Sequence, residues 1–250
     1  MNTERERIEA VRKAYSELAQ KRENWPNKYD ISTQLGKMLS DYMLLAKIDM
    51  LDKKVLNIGC SEPIDEVFWA SIVGEWHALD INRDAIEMAR EMTSEALPPQ
   101  LYSRLKFITA DVTDLDMDDE SYDVVTSFST IDHIPGHENR AKAIIEMSRV
   151  LKRGGFLAIT VPNKLDFIYS YRSNKSQKEG KAVFGYEYQF SPRELREMIL
   201  DSGLEILDCA STAFNPYSYL DKLLHKLKID KVKIMMGTRF GYLARKRAAG

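Results

Sequence analysis

The feature that most constrains the fold is a regular alternation of short apolar runs with helix-like segments. Helical patterns separate the runs: Asn82 can cap one helix, and Ala141 to Leu151 recur at helical spacing before Gly154 and Gly155 stop another. This alternation predicts a doubly wound, Rossmann-like α/β sheet. Five runs are typical of strands buried in a parallel sheet: VLNI (55–58), WHALD (76–80), KFITAD (106–111), DVVTSF (123–128) and FLAITV (156–161).

The segments on either side of this alternation indicate appendages and the end of the sheet. Residues 1–50 predict an N-terminal helical cap of two helices, split around Pro26, and residues 51–250 form the main domain. Residues 164–190 are rich in Tyr, Lys, Ser and Gly and predict a loop or lid. A helix capped by Ser191 and ended by Gly203 follows, and LEILDCAS and TRFGYLARK are the last strand candidates. We expect a mostly parallel sheet with an antiparallel last strand.

Composition excludes several classes of function. A chain of 250 residues, 44% apolar, suits one domain with an appendage. The net charge of −2 gives no electrostatic reason to expect nucleic-acid binding. Two cysteines are too few for a disulfide framework or a zinc site, so no metal is expected. The charged N-terminal residues and the lack of any run of about 20 apolar residues predict a cytoplasmic protein with no integral membrane segment.

The turn after the first predicted strand, GCSEPIDE, departs from a phosphate-binding loop. Ligands of such sheets bind at the carboxyl ends of the strands. A dinucleotide site needs G-x-G-x-x-G there, and this chain offers Gly59, Ser61 and Ile64. The carboxylates of the turn suit a helix dipole and tolerate a cation, but they would repel a phosphate. Alternatively, they are ordinary first-turn helix stabilisers around Pro63.

Two acidic residues at later strand ends suggest an adenosine pocket. Asp80 follows Gly59 by 21 positions, a spacing at which a carboxylate can accept hydrogen bonds from ribose hydroxyls. Asp111 could accept from the exocyclic amine of adenine, with Val112 against the ring. The alternatives are a strand-end turn residue for Asp80 and a solvated acid within DVTDLDMDDE for Asp111. Together the two residues predict adenosine binding without an obvious phosphate cradle.

From about residue 53 to residue 210 the chain resembles the class I S-adenosylmethionine-dependent methyltransferases, in particular those acting on small molecules. The resemblance rests on the order and spacing of its pieces: VLNIGCSEP, HALDIN, ITADVTDL, YDVVTSFSTIDHI, MSRVLKRGGFLAITVPN and FSPRELREMILDSGLEIL. It implies S-adenosylmethionine as cofactor and transfer of a methyl group to an oxygen or nitrogen atom of a small molecule by in-line displacement. The implied cofactor-binding residues are Gly59, Cys60, Ser61, Glu62, Asp80, Ile81, Asp111, Val112, Ser127, Phe128 and Tyr29. Lys37 could meet the cofactor carboxylate, and the alternative for this residue is an exposed surface lysine.

The chain departs from the family pattern in the first turn. Asn57 stands where the family has an acid, and Ser61 and Pro63 stand where it has glycines. Glu62 could supply the lost charge. The alternative is a catalytically silent protein that keeps the methyltransferase fold as a binding or partner module.

His133 in STIDHIP is the candidate general base or substrate-orienting group, with Asp132 beside it. Alternatively, His133 caps or packs the start of the next helix.

Aromatic faces suit a sulfonium or a cationic acceptor, although such residues also serve simply in helix packing. The candidate substrate residues are Tyr15, Trp25, Tyr186 and Tyr188.

The resemblance also indicates which binding partners to expect. We expect a small-molecule methyl acceptor, and a homodimer is possible. A nicotinamide oxidoreductase is opposed by the acidic first turn, and SFSTIDHIP is not the proline-aromatic tetrapeptide of many nucleic-acid methyltransferases. Residues 217–236 combine Leu and Met with five Lys, which suggests either a helix over the active site or docking on a membrane surface.

Overall fold

A single mixed sheet organises the chain in the computed structural model, which describes residues 4–20, 41–61, 63–182, 185–212 and 237–248. Its strands are β1 (Lys54–Ile58), β2 (Glu75–Asp80), β3 (Leu105–Thr109), β4 (Tyr122–Phe128), β5 (Leu151–Pro162), β6 (Leu204–Thr212) and β7 (Arg239–Lys246). They lie in the order β3-β2-β1-β4-β5-β7-β6. Strands β1 to β5 pair in parallel, and β7 runs antiparallel between β5 and β6. The predicted Rossmann-like sheet with an antiparallel last strand is confirmed.

Helices follow the strands in the predicted alternation. They are α1 (Glu4–Gln20), α2 (Ile64–Trp69), α3 (Arg83–Ala96), α4 (Pro99–Tyr102), a 3₁₀ turn (Ile131–His133), α5 (His137–Val150), α6 (Phe167–Lys178) and α7 (Pro192–Asp201). Residues 41–45 are also helical.

The apolar runs are continuous because both faces of the sheet are covered. Leu56 and Ile58 of β1 belong to one buried cluster, while Val55 belongs to a second cluster on the opposite face. Successive side chains of a strand point to opposite faces, so a strand with helices on both sides needs apolar residues at nearly every position.

Local capping chemistry sets the helix boundaries. The Asn82 side chain accepts from the backbone N–H groups of Asp84 (2.9 Å) and Ala85 (3.4 Å), and Ser191 accepts from Glu194 N–H at 3.2 Å. Both predicted caps are confirmed. They satisfy backbone donors that the first turn of a helix leaves without partners.

The predicted end of the helix before β5 is wrong. Helix α5 stops at Val150, and Leu151 already pairs with Tyr122 of β4, five residues before the predicted strand start at Phe156. The helical spacing failed here because sheet pairing competes for the same backbone groups. Gly154, at φ +77°, accommodates the register shift within the strand.

The segment 164–190 is not a simple loop, because it contains α6. The Asp166 side chain caps this helix by accepting from Tyr169 N–H at 2.9 Å, a signal that the sequence analysis overlooked. Whether the segment works as a lid stays a prediction. In the described parts of the chain, no helix has the length and apolar character needed to cross a membrane.

Candidate active site

A cavity of about 330 Å³ opens at the carboxyl ends of β1, β2 and β4. Parallel sheets place their ligands at this edge. Seven of the predicted site residues line the cavity: Gly59, Ser61, Asp80, Ile81, Asp111, Val112 and His133.

Three described backbone donors of the first turn are bonded to the end of β2. Gly59 N–H and Cys60 N–H both donate to the carbonyl of Leu79, at 2.7 and 3.1 Å, and Ser61 N–H donates to Asp80 Oδ2 at 3.2 Å. A phosphate-binding loop needs such donors aimed at the ligand. These three donors are therefore not available to a pyrophosphate, which agrees with the sequence-based argument against a nicotinamide enzyme.

Gly59 allows the turn to lie close to the segment that follows β4. Its φ is +80°, and a Cβ at this position would lie 2.2 Å from Thr130 Oγ1. Thr130 Oγ1 in turn donates to the carbonyl of Ile58 at 2.8 Å. The glycine is therefore required by both backbone conformation and space.

Asp80 is a buried carboxylate with remaining acceptor capacity. It is 9% exposed; Oδ1 accepts from Asn82 N–H at 2.9 Å, and Oδ2 accepts from Ser61 N–H. Burial raises the pKa of Asp80, while these backbone hydrogen bonds oppose the rise. A carboxylate offers about four lone-pair positions. A backbone hydrogen bond from Ile81 also lowers the pKa of Asp80, and acceptor capacity remains for a donor such as a ribose hydroxyl group.

Asp111 and the residues around it form a more open wall. Its Oδ1 accepts from the backbone N–H and the hydroxyl of Thr113, at 2.9 and 2.8 Å. Leu79 and Val112 supply apolar surface beside it, at 1% and 7% exposure. An apolar slot with one carboxylate at its rim fits a flat heterocycle that carries an amine.

His133 is held by the backbone of the segment after α6. Its Nδ1 lies 2.7 Å from the carbonyl oxygen of Tyr186, so Nδ1 carries the donated proton and, in the neutral ring, Nε2 carries the lone pair. Asp132 Oδ2 lies 3.5 Å from Nε2. Asp132 is 1% exposed, and burial raises its pKa. A negative Asp132 at this distance would attract a positively charged imidazole ring.

Helix α1 lies over the cavity. Val11 lines it, Ser16 Oγ accepts from Asn82 Nδ2 at 3.1 Å, and the Arg7 guanidinium lies 5.2 Å from the centre of the Tyr186 ring. The predicted cofactor contacts of this N-terminal segment were Tyr29 and Lys37, whereas among the described residues of the segment Val11 lines the cavity. The side chain of Tyr15 and residues Trp25, Tyr29, Lys37 and Glu62 lie outside the described residues, as does the 217–236 stretch.

Several predicted site residues do not line the cavity. Cys60 is buried in the opposite apolar cluster, and burial raises the pKa of its thiol. Ser127 is fully buried, and Phe128 packs against the same cluster as Cys60. Asp132 is also absent from the cavity lining. Tyr186 and Tyr188 do not line the cavity either, but their backbone contacts the 3₁₀ turn: Tyr186 O accepts from His133, and Tyr188 N–H donates to Asp132 O at 2.7 Å.

The structure also adds cavity residues that the sequence analysis missed. They are hard to find from sequence because they carry no ionisable group and lie in several different elements, including α1, β1, β2 and the loops after β3 and β4. The additions are Val11, Ile58, Leu79, Ala110, Thr113, Ser129, Thr130, Ile134, Pro135 and Asn139.

A buried carboxylate lies behind the first turn. Glu66 is 0% exposed, and its Oε1 accepts from Asn57 Nδ2 at 2.8 Å and from Trp76 Nε1 at 3.1 Å. Asn57 Oδ1 accepts from Thr126 Oγ1 at 2.8 Å. The network ties α2 to β1, β2 and β4. Burial raises the pKa of Glu66 to about 7, although the bonds from Asn57 and Trp76 lower it. Glu66 therefore bonds Asn57 at the position where the family has an acid.

The site can now be compared with known proteins. Residues 56–159 match a methyltransferase-domain family. The ubiquinone biosynthesis O-methyltransferase of Vibrio atlanticus is 25% identical over 188 residues, which are 73% of this chain and 76% of that protein. A probable S-adenosylmethionine-dependent methyltransferase of Mycobacterium tuberculosis is 28% identical over 115 residues, which are 46% of this chain and 38% of that protein.

Solved structures show the same fold. Magnesium protoporphyrin IX methyltransferase from Synechocystis, with bound S-adenosylhomocysteine, has a TM-score of 0.68 at 16% identity, covering 96% of this chain and 99% of that one. The N-methyltransferase NodS from Bradyrhizobium japonicum, also with S-adenosylhomocysteine, has a TM-score of 0.65 at 11% identity, covering 95% and 98%.

The fold and the matched sequence define a class I S-adenosylmethionine-dependent methyltransferase. Residues 56–159 therefore form a methyltransferase domain, and its cofactor is S-adenosylmethionine.

Proposed function

We propose that this methyltransferase modifies an oxygen or nitrogen atom of a small molecule, with His133 accepting the proton that the acceptor loses. The observation that carries the proposal is the placement of His133 in the same cavity as Asp80 and Asp111. The volume of about 330 Å³ lies within the range of sites for small-molecule ligands.

In the proposed cofactor site, adenosine lies along the strand ends. Asp80 accepts from the ribose hydroxyls, Asp111 accepts from the adenine amine, and Val112 contacts the ring. The residues fit such a group because the cavity offers carboxylate acceptors and apolar walls, and because the turn directs its N–H donors elsewhere. When bound, the cofactor supplies a methyl group already activated by a positively charged sulfur.

The chain's own contribution is then alignment, exclusion of water and movement of one proton. The Tyr186 carbonyl fixes the Nδ1–H tautomer of His133, so that Nε2 is the atom that accepts the proton. Asp132, at 3.5 Å, stabilises the resulting positive ring. Helix α1 covers the cavity through Val11 and limits access of water.

A hydroxyl acceptor fits this arrangement best. A phenol or an alcohol must give up a proton to attack efficiently, and a positioned imidazole contributes typically 10²- to 10⁴-fold to such transfers. The printed activity of the Vibrio relative, an O-methyltransferase, supports the same choice. The altered first turn had suggested a catalytically silent protein as the alternative. The open cavity beside Gly59 and Ser61 supports an active enzyme instead.

The test measures methyl transfer from labelled S-adenosylmethionine to panels of phenols, catechols and amines. His133→Ala should keep S-adenosylhomocysteine affinity within about twofold and lower turnover by roughly 10²-fold or more, as expected for loss of a general base. His137→Ala is the matched control, because this nearby histidine is 66% exposed and lies outside the cavity lining. Full turnover in the His133 variant, or transfer to none of the panel, would contradict the proposal.

A further inference from the structure

Helix α6 presents apolar side chains to solvent. Phe167 is 79% exposed, Ile168 67% and Tyr171 69%, the highest values among the large apolar residues that the structure describes. At about 100° per residue, these three side chains occupy one outward arc of the first turns of the helix. An exposed apolar cluster of this kind indicates a contact surface.

The opposite face of α6 is polar and points inward. Tyr169 donates its hydroxyl proton to Glu187 at 2.9 Å, Ser173 Oγ donates to Glu187 at 2.9 Å, and Gln177 Nε2 donates to the Glu187 carbonyl at 2.9 Å. The usual order of a surface helix is therefore reversed. Because hydrogen bonds hold the polar face of α6 inward, the apolar face cannot pack into the protein core and stays exposed to solvent.

Basic side chains share the outward arc. Arg172, Lys175 and Lys178 are exposed and fall, by helical geometry, on the same side as the apolar cluster but nearer the C-terminal end. Residues 164–182 contain five basic and two acidic residues, whereas the whole chain has a net charge of −2. Glu179, one of the two acids, lies 3.9 Å from Lys175 and 2.8 Å from Lys181.

We propose that the outward face of α6, formed by Phe167, Ile168, Tyr171, Arg172, Lys175 and Lys178, docks on the surface of an anionic phospholipid bilayer. Apolar side chains of an interfacial helix enter the boundary between head groups and acyl chains, while lysines and arginines contact lipid phosphates. The positive face of a chain that is negative overall selects an anionic surface, and the mixture of apolar and basic residues on one arc fits a bilayer interface.

Docking at this face would bring the bilayer close to the active site. The same Glu187 that anchors α6 is followed by Tyr188, whose N–H donates to Asp132 O, and preceded by Tyr186, whose carbonyl bonds His133. The helix that would dock is therefore joined, through residues 186–188, to the segment that holds His133. The surface is argued from α6 alone and does not depend on the chemistry proposed for His133.

The experiment is flotation of the purified protein with vesicles of phosphatidylcholine, with and without phosphatidylglycerol, at low and high salt. The protein should float with the anionic vesicles only, and less at high salt because ions screen the attraction. Arg172→Gln/Lys175→Gln/Lys178→Gln should weaken the partition coefficient by roughly 10²-fold, since each basic side chain contributes about fivefold near an anionic surface. Phe167→Ser/Ile168→Ser/Tyr171→Ser should also lower it, by about tenfold or more.

Matched controls are Ile145→Ser, an apolar residue 52% exposed on α5, and Arg193→Gln, an exposed arginine on α7. Both should float like the parent protein. Equal flotation of the α6 variants and the parent, or no flotation of the parent, would overturn the proposal. So would a dimer that dissociates in the apolar variant and does not bind vesicles, because the face would then join two copies of the chain.

A second measurement covers the case in which a triple variant does not fold. Phe167→Trp should fold, since the side chain is exposed, and its added emission should shift to shorter wavelength when anionic vesicles are mixed in. Emission that stays the same as in buffer would refute insertion at this residue.

Discussion

Glu66→Gln measures how much the buried charge of Glu66, behind the first turn (residues 59–63), lowers the free energy of unfolding. Glutamine has nearly the shape of glutamate, and its Oε1 can still accept from Asn57 and Trp76. Glu66 Oε2 has no hydrogen-bond partner among the residues that the structure describes, so the substituted amide loses no bond there. The variant therefore removes mainly the charge.

The expected size follows from the pKa. Burial raises the pKa of Glu66 from 4.5 to about 7, so the folded state holds a proton that the unfolded state releases over that range. The contribution of Glu66 to the free energy of unfolding is then fully present below pH 4.5 and falls as the pH rises toward 7. At 1.36 kcal/mol per pH unit, the loss between pH 5 and pH 8 is about 2.5 kcal/mol. The Glu66 charge also raises the pKa of Asp65, which adds a cost of the same sign.

Thermal unfolding of parent and variant at pH 5 and pH 8 measures this cost. Glu66→Gln should gain stability over the parent as the pH rises, and the gain at pH 8 relative to pH 5 should be roughly 5–10 °C in Tm for a chain of this size. Asp116→Asn, which removes an exposed carboxylate, is the control for general charge effects and should show little pH-dependent gain. A Tm difference that does not change between the two pH values would refute the reasoning.

Two further substitutions test the cofactor turn. Asp80→Ala should lower S-adenosylhomocysteine affinity by roughly 10²-fold or more in calorimetric titration, because hydrogen bonds to a charged acceptor contribute about 1.5–3 kcal/mol each. The control is Asp114→Ala, which removes an exposed acid and should bind normally. Equal affinity in both variants would remove Asp80 from the site. Gly59→Ala should destabilise the fold by about 2 kcal/mol or more in urea unfolding, because φ is +80° and the new Cβ would meet Thr130. Gly180→Ala separates the two causes: its φ is +66° and nothing lies within 4 Å, so it should cost only the backbone strain, and an equal loss in both variants would contradict the steric argument.

Periodicity and capping residues predicted the elements of the fold because their causes are local. The apolar runs, the Asn82 and Ser191 caps and the strand-end position of Asp80 can all be found within a few residues of sequence. The end of α5 could not be found in this way, because the pairing of Leu151 with Tyr122 depends on a strand about 30 residues away in sequence. Helix α6 was missed because its apolar residues face outward, so its pattern does not resemble a helix packed on a core.

The site was predictable only where a residue acts from a strand end. Asp80, Asp111 and His133 follow strands and reach the cavity as expected, whereas Val11 arrives from a distant helix. Cys60 follows the same strand as Gly59 but points to the opposite face, and a motif position alone does not show this direction. The bond from Asn57 of β1 to Glu66 of α2 joins residues nine positions apart in sequence. It could not be predicted without knowing how α2 packs on the sheet.

The bond between His133 and residue 186 uses a carbonyl oxygen, which every amino acid possesses. The Tyr186 side chain, which contacts Arg7 of α1, is a separate structural unit from the atom that holds the imidazole. A substitution at position 186 therefore changes the side chain that meets α1 while it keeps the carbonyl oxygen that holds the imidazole. In the proposed mechanism, the orientation of His133 thus does not depend on which amino acid stands at position 186.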